Sequence, residues 1–100
     1  MEDKRLMNRY RIYLGLNNPE TNKEYIPYRV INDIKWIFDY ATIYQAKGLY
    51  KQELETTLII EVISNNLTDN EIKNTCKYLK NRYEQECVMF TKDIINMEVI

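Results

Sequence analysis

Polar and apolar residues alternate along the first part of the chain. Between Arg9 and Leu16 the even positions are apolar or aromatic, whereas the odd positions carry arginine, tyrosine and glycine. A period of two with one apolar face is typical of a half-buried strand, so we predict a strand over 9–16. Residues 1–8 are mostly polar, and we expect them to be frayed.

A helical pattern follows a turn-forming cluster at 17–22. Apolar residues within 26–38 fall on one stripe at helical spacing. Pro27 is expected in the first turn, where its missing N–H costs nothing, and the helix is expected to end near Asp39 or Tyr40. Thr21 and Glu24 have the spacing of a capping box, which leaves open an earlier start.

A second helix is predicted after Thr68. Thr68 and Glu71 form a capping box in front of an apolar stripe. The helix is expected to end near Gln85. The stripe consists of Ile72, Cys76, Leu79 and Tyr83.

Three further strands are predicted around the second helix. Residues 42–50 and 56–63 are rich in β-branched and aromatic side chains, and the charged segment 51–55 between them suits a hairpin. A fourth strand is expected over 86–92. The tail at 94–99 could add an edge strand.

The order of these elements is β-α-β-β-α-β over a single domain at residues 1–100. This order predicts an α+β, ferredoxin-like fold, with a four-stranded antiparallel sheet and two helices on one face. The other sheet face is then open, and a functional surface is expected there or on its loops.

Composition and charge exclude several classes of function. No apolar stretch has the length of a membrane span, and no leader pattern follows Met1, so a cytoplasmic protein is expected. The net charge of −1 argues against binding of nucleic acid by bulk electrostatics. There is no histidine, and Cys76 and Cys87 lack metal-type spacing, so neither a metal nor another cofactor is expected.

The sequence also argues against catalysis. Carboxylate pairs occur at Glu53 and Glu55 and again at Glu84 and Glu86, but such pairs are commonly solvated charge. A cysteine nucleophile needs a base, usually histidine, and the chain has none. We therefore expect a protein that is not an enzyme.

The predicted open face mixes charge with apolar side chains. Arg9, Arg11 and Tyr13 point outward from the first strand, and alternate residues of 57–63 point outward from the third. Either set of alternate residues of 42–50 could complete this face. A sheet face this apolar is rarely left wet, so self-association as a homodimer is expected.

Protein binding is the favoured functional class. The chain has nine tyrosines, and tyrosine with arginine is the composition of interface anchors. The first candidate surface lies on the open sheet, and the second combines a tyrosine with the acidic hairpin. In order, these candidates are Arg9, Arg11 and Tyr13, and then Tyr50, Glu53 and Glu55.

Short motifs resemble a family of small uncharacterised bacterial and mobile-element proteins. The motifs are Tyr13–Leu16, Gly48–Tyr50, a glutamate at Glu53 or Glu55, and Arg82–Val88. The resemblance covers most of residues 10–92. It implies a ferredoxin-like fold and transfers no catalytic residue.

The most concrete functional hypothesis is a phage- or plasmid-encoded inhibitor of a bacterial defence system, similar to anti-CRISPR proteins, with a host protein as partner. The small size of the chain and its abundance of amino acids with AT-rich codons favour it, by analogy alone. One alternative is a protein that binds or sequesters a nucleotide signal, with Arg11 as charge clamp and Tyr13 as stacking plate. Another is a weak RNA-binding module, since 12–17 and 47–50 loosely echo RNA-recognition motifs.

Overall fold

A computed structural model describes residues 3–18 and 20–100 of the chain. Over these residues it has two helices, a four-stranded sheet and a small two-stranded sheet. No helix in this part of the chain is long and apolar enough to cross a membrane. The elements are β1 (Asp3–Gly15), β2 (Asn17–Asn18), β3 (Lys23–Glu24), α1 (Pro27–Ile34), β4 (Thr42–Tyr50), β5 (Glu53–Ser64), α2 (Asp69–Arg82) and β6 (Met89–Val99).

The large sheet has the strand order β4-β5-β1-β6, and every neighbouring pair is antiparallel. β1 is central, so Ile12 lies opposite Ile60 on one side and opposite Phe90 on the other. The predicted α+β class, with a four-stranded antiparallel sheet and two helices, is confirmed.

The register of β1 and β5 separates a buried face from an open one. Even residues in the middle of both strands are buried, and they form one core with Val30 and Ile34 of α1 and with the apolar stripe of α2. These buried strand residues are Tyr10, Ile12, Leu14, Leu58, Ile60 and Val62. Both helices therefore cover the same face. The odd residues of the two strands lie on the opposite, open face, as the alternation in the sequence predicts.

Both helices begin where the sequence predicts. Pro27 is the first residue of α1, so the alternative start near Thr21 is wrong. The side chain of Thr68 accepts a hydrogen bond from the backbone N–H of Glu71, as a capping residue does. The predicted helix ends are too late. α1 stops at Ile34 and is followed by a turn. Ile37 and Phe38 still pack on the core from this turn, which is why the apolar stripe in the sequence runs past the end of the helix.

The strands are longer than the sequence predicts. Residues 3–8 are not frayed, because their backbone groups are paired with those of 94–99. β6 also continues past Lys92 to Val99, so the predicted fourth strand and the tail are one strand that begins at Met89 instead of Glu86. Met1 and Glu2, within the predicted frayed segment, lie outside the described residues.

A tight turn joins β4 to β5. Lys51 and Gln52 have positive φ angles of 48° and 67°, the backbone of the hairpin turn that matches strand twist. The hairpin is therefore confirmed, but β5 begins at Glu53 rather than at 56. Glu53 and Glu55 are consequently strand residues.

Candidate functional site

The strand register settles which residues of β4 face the open side. Tyr44 lies opposite Ile59, Ala46 opposite Thr57, and Gly48 opposite Glu55, and these β5 partners are all odd residues. The even residues of β4 therefore complete the open face.

The arginines at one end of the open face are already paired. Arg11 Nε lies 2.8 Å from Glu61 Oε1, and Arg9 Nε lies 3.0 Å from Asp93 Oδ1. The hydrogen bond from Arg9 lowers the pKa of Asp93. Because both guanidinium groups are held by carboxylates of the same chain, this end of the face is a neutralised network and does not offer free positive charge.

A cleft of about 450 Å³ occupies the other end of the open face. Its floor is the sheet, formed by residues of β1, β4 and β5, and one wall is the segment between α2 and β6. We call residues 85–87 of that segment the strap. The residues that line the cleft include Tyr13, Gly15, Asn17, Gly48, Tyr50, Glu55, Thr57, Ile59, Gln85, Glu86, Cys87 and Met89.

Two glycines create the space in the floor. A Cβ atom on Gly15 would lie 2.5 Å from Glu55 Oε1 and 2.8 Å from Glu55 Cδ. A Cβ atom on Gly48 would collide with the hydroxyl of Thr57. Glycine within a strand often marks a place where another group approaches the backbone closely, and here that group is the Glu55 carboxylate.

Glu55 is a carboxylate that has no counter-ion in the described part of the chain. It is half-buried and forms no ion pair with any residue that the structure describes. Burial raises the pKa of Glu55, and a hydrogen bond from the backbone of Asn17 acts in the opposite direction. The aromatic rings of Tyr13 and Tyr50 line the same cleft. A cleft that contains both a negative charge and aromatic rings suits a cationic ligand.

The strap is fastened at two points. The side-chain amide of Gln85 donates to the backbone oxygens of Asn17, at 3.2 Å, and of Tyr83, at 2.9 Å. The carboxylate of Glu86 accepts a hydrogen bond from the hydroxyl of Tyr50 and lies 3.4 Å from Lys51 Nζ. The hydrogen bond from Tyr50 is the main cause that lowers the pKa of Glu86. These contacts tie the wall of the cleft to its floor.

The structure divides the six predicted site residues into two groups. Tyr13, Tyr50 and Glu55 come together in the cleft. The two arginines lie in the neutralised network, and Glu53 is exposed and does not line the cleft.

Sequence reasoning missed two polar residues of the cleft, Asn17 and Gln85, and did not recognise Glu86 as part of it. The glycine inside each of two predicted strands was the available signal, since it marks a close approach.

The two cysteines have different surroundings. Cys76 is buried in the core, and burial raises the pKa of its thiol to about 11. Cys87 is exposed on the strap and lines the cleft. Among the described residues, no cluster of histidine, cysteine, aspartate and glutamate could hold a metal ion.

No protein-family model and no curated protein matches the chain. Two solved structures do match it. One is a phage SAM lyase in complex with S-methyl-5′-thioadenosine, with a TM-score of 0.73 and 19% identity over 93% of this chain and 90% of that chain. The other is a phage SAM lyase in the apo state, with a TM-score of 0.61 and 20% identity over 92% and 89% of the two chains. At this identity the likeness shows a shared fold.

These structures contradict two predictions made from the sequence. The expectation of a non-catalytic, macromolecule-binding inhibitor similar to anti-CRISPR proteins is wrong, because the similar chains are an enzyme and one of them holds a small nucleoside. The expectation that the chain is not an enzyme is contradicted by the same finding. The alternative of small-ligand binding agrees better with these structures and with the cleft.

Proposed function

We propose that the cleft binds S-adenosylmethionine and cleaves it to S-methyl-5′-thioadenosine. The observation that carries this proposal is the unpaired, half-buried carboxylate of Glu55 inside a cleft of about 450 Å³. That volume lies within the range of roughly 300–1,000 Å³ typical of small-molecule sites. The fold shared with the phage SAM lyase supports the choice of ligand.

The chemistry of the ligand matches the groups in the cleft. S-adenosylmethionine carries a positive charge on its sulfonium sulfur, and its methionine part carries an ammonium group. A carboxylate without a counter-ion attracts such a cation, and the rings of Tyr13 and Tyr50 add a cation–π contribution. Glu55 is therefore assigned the role of facing the positive part of the ligand.

Cleavage of a sulfonium needs little from the protein. As the bond between sulfur and the γ carbon of the methionine part breaks, sulfur keeps the electron pair and leaves as a neutral thioether, while an oxygen of the substrate's own carboxylate bonds to that carbon and closes a five-membered lactone. No general acid has to protonate this leaving group. A chain without histidine can therefore support the reaction by binding and orienting the substrate, which is why the missing base did not exclude catalysis.

The test is a direct assay of product release. Purified protein is incubated with S-adenosylmethionine, and S-methyl-5′-thioadenosine is quantified by chromatography. We expect product release by the parent protein and a loss of about tenfold or more in Glu55→Gln, which keeps the size of the side chain and removes its charge.

Glu53→Gln is the matched control. It changes the same residue type two positions earlier on β5, outside the cleft, and should leave the rate unchanged. Equal rates for Glu55→Gln and the parent protein would refute the assigned role of Glu55. Tight binding without product would reject cleavage and favour a protein that sequesters the ligand.

Four earlier expectations extend this proposal. A ferredoxin-like topology is supported by the β-α-β-β-α-β order of the main elements and by the strand order β4-β5-β1-β6. Homodimerisation stays a prediction, which sedimentation of the purified protein can test. A phage origin and a cytoplasmic site of action are proposed from the likeness to phage SAM lyase.

A further inference from the structure

One polar side chain in the cleft has no hydrogen-bond partner among the residues that the structure describes. The Oδ1 atom of Asn17 is shielded from solvent and accepts no hydrogen bond from the described residues. The amide nitrogen of Asn17 does not donate to any of them either. Asn17 therefore presents both a donor and an acceptor that the described residues leave unused.

Neighbouring amides behave differently. Asn18 Oδ1 accepts a hydrogen bond from the backbone N–H of Glu20 at 3.0 Å, and the amide nitrogen of Gln85 donates to two backbone oxygens. Buried polar groups are generally paired, so an exception calls for an explanation. Asn17 lines the cleft beside Glu55, and a rotation of its side chain that brings Oδ1 to the surface of the cleft would let a bound group provide the missing partner.

We infer that Asn17 recognises the adenine base of the ligand; this inference rests on the proposed function. An asparagine amide can accept from the N6 amino group of adenine while it donates to a ring nitrogen, a pairing that uses both of its atoms. The cationic groups of S-adenosylmethionine are better matched by the charge of Glu55 than by a neutral amide. The cleft then selects a purine that carries an exocyclic amino group.

The test compares two nucleosides by isothermal titration calorimetry. The first is S-methyl-5′-thioadenosine, and the second is the same compound with hydrogen in place of the N6 amino group. The parent protein should bind the first about tenfold more tightly or better, because the second leaves the shielded acceptor unpaired. In Asn17→Ala the affinity for the first compound should fall, and the preference should disappear.

Two further variants make the result decisive. Asn96→Ala, on β6 away from the cleft, should keep the affinity and the preference of the parent protein. Asn17→Asp keeps the size and the acceptor, so it should keep the preference for the amino compound even if Asn17→Ala folds poorly.

Equal binding of the two nucleosides by the parent protein, or a preference that survives in Asn17→Ala, would overturn the inference and leave the proposed function intact. Failure of the parent protein to bind either nucleoside would overturn both.

Discussion

Replacing Gly15 with alanine tests whether the Glu55 carboxylate has to lie where the structure places it. The new Cβ atom would lie 2.5 Å from one carboxylate oxygen and 2.9 Å from the other, whereas ordinary contacts begin at 3.4 Å. The carboxylate must therefore move by about 1 Å, and a misplacement of that size can cost about a hundredfold in rate. We expect Gly15→Ala to lower kcat/KM for release of S-methyl-5′-thioadenosine by about that factor.

The fold should tolerate the same change. The colliding atoms are the far end of a flexible side chain, which can rotate away. Alanine in a strand is favoured over glycine by roughly 0.5–1 kcal/mol, so the free energy of unfolding should stay the same or rise slightly. Urea denaturation measures this. A loss of activity without a loss of stability would separate an effect on the site from an effect on the fold.

A double-mutant cycle tests whether Gly15→Ala lowers activity through Glu55. If Gly15→Ala acts by displacing Glu55, its cost should fall to about twofold or less in a Glu55→Ala background, where no carboxylate is left to displace. The reasoning is refuted if Gly15→Ala has the activity of the parent protein. It is also refuted if the substitution costs as much with Glu55→Ala as without it.

Three other measurements follow from the structure. Because burial raises the pKa of Glu55, the folded state should lose stability as pH rises from the ordinary pKa of 4.5 through the raised one. Glu55→Gln should abolish that loss, as measured by urea denaturation across pH. Binding of a cationic nucleoside should weaken below this pH interval, where the carboxyl group is protonated. Cys87 should react with a thiol reagent much faster than Cys76, whose pKa is raised to about 11, and a ligand in the cleft should protect Cys87; equal rates would contradict the burial of Cys76. Thr68→Ala should lower the free energy of unfolding by about 1 kcal/mol, whereas Thr91→Ala on the exposed side of β6 should have little effect.

Local patterns predicted much of the fold. The alternation in β1 identified its buried face because the side-chain period of a strand is fixed, and Thr68 identified the start of α2 because a cap is a local interaction. The ordering of residues 3–8 was not predictable in this way. It depends on pairing with β6, some 90 residues later, and polar side chains do not prevent backbone pairing.

The site was less predictable than the fold. Arg9 and Arg11 looked like free charges because their partners, Asp93 and Glu61, are distant in sequence. The charge of the hairpin made Glu55 a candidate site residue. Its place in the cleft depends on the space beside Gly15, which only the strand register reveals. The prediction that the chain is not an enzyme depended on the missing histidine, and a reaction that needs no proton transfer does not require one.

The fastening of the strap links ligand binding to the lifetime of the folded chain. Gln85 joins the strap to Asn17, just after β1, and Glu86 joins it to the tip of the β4–β5 hairpin. The cleft therefore exists only when three segments that are distant in sequence are assembled. Any local opening that releases one of them also dismantles the binding site. By mass action, a ligand in the cleft therefore opposes all of these openings together, and its concentration would set how long the protein resists proteolysis.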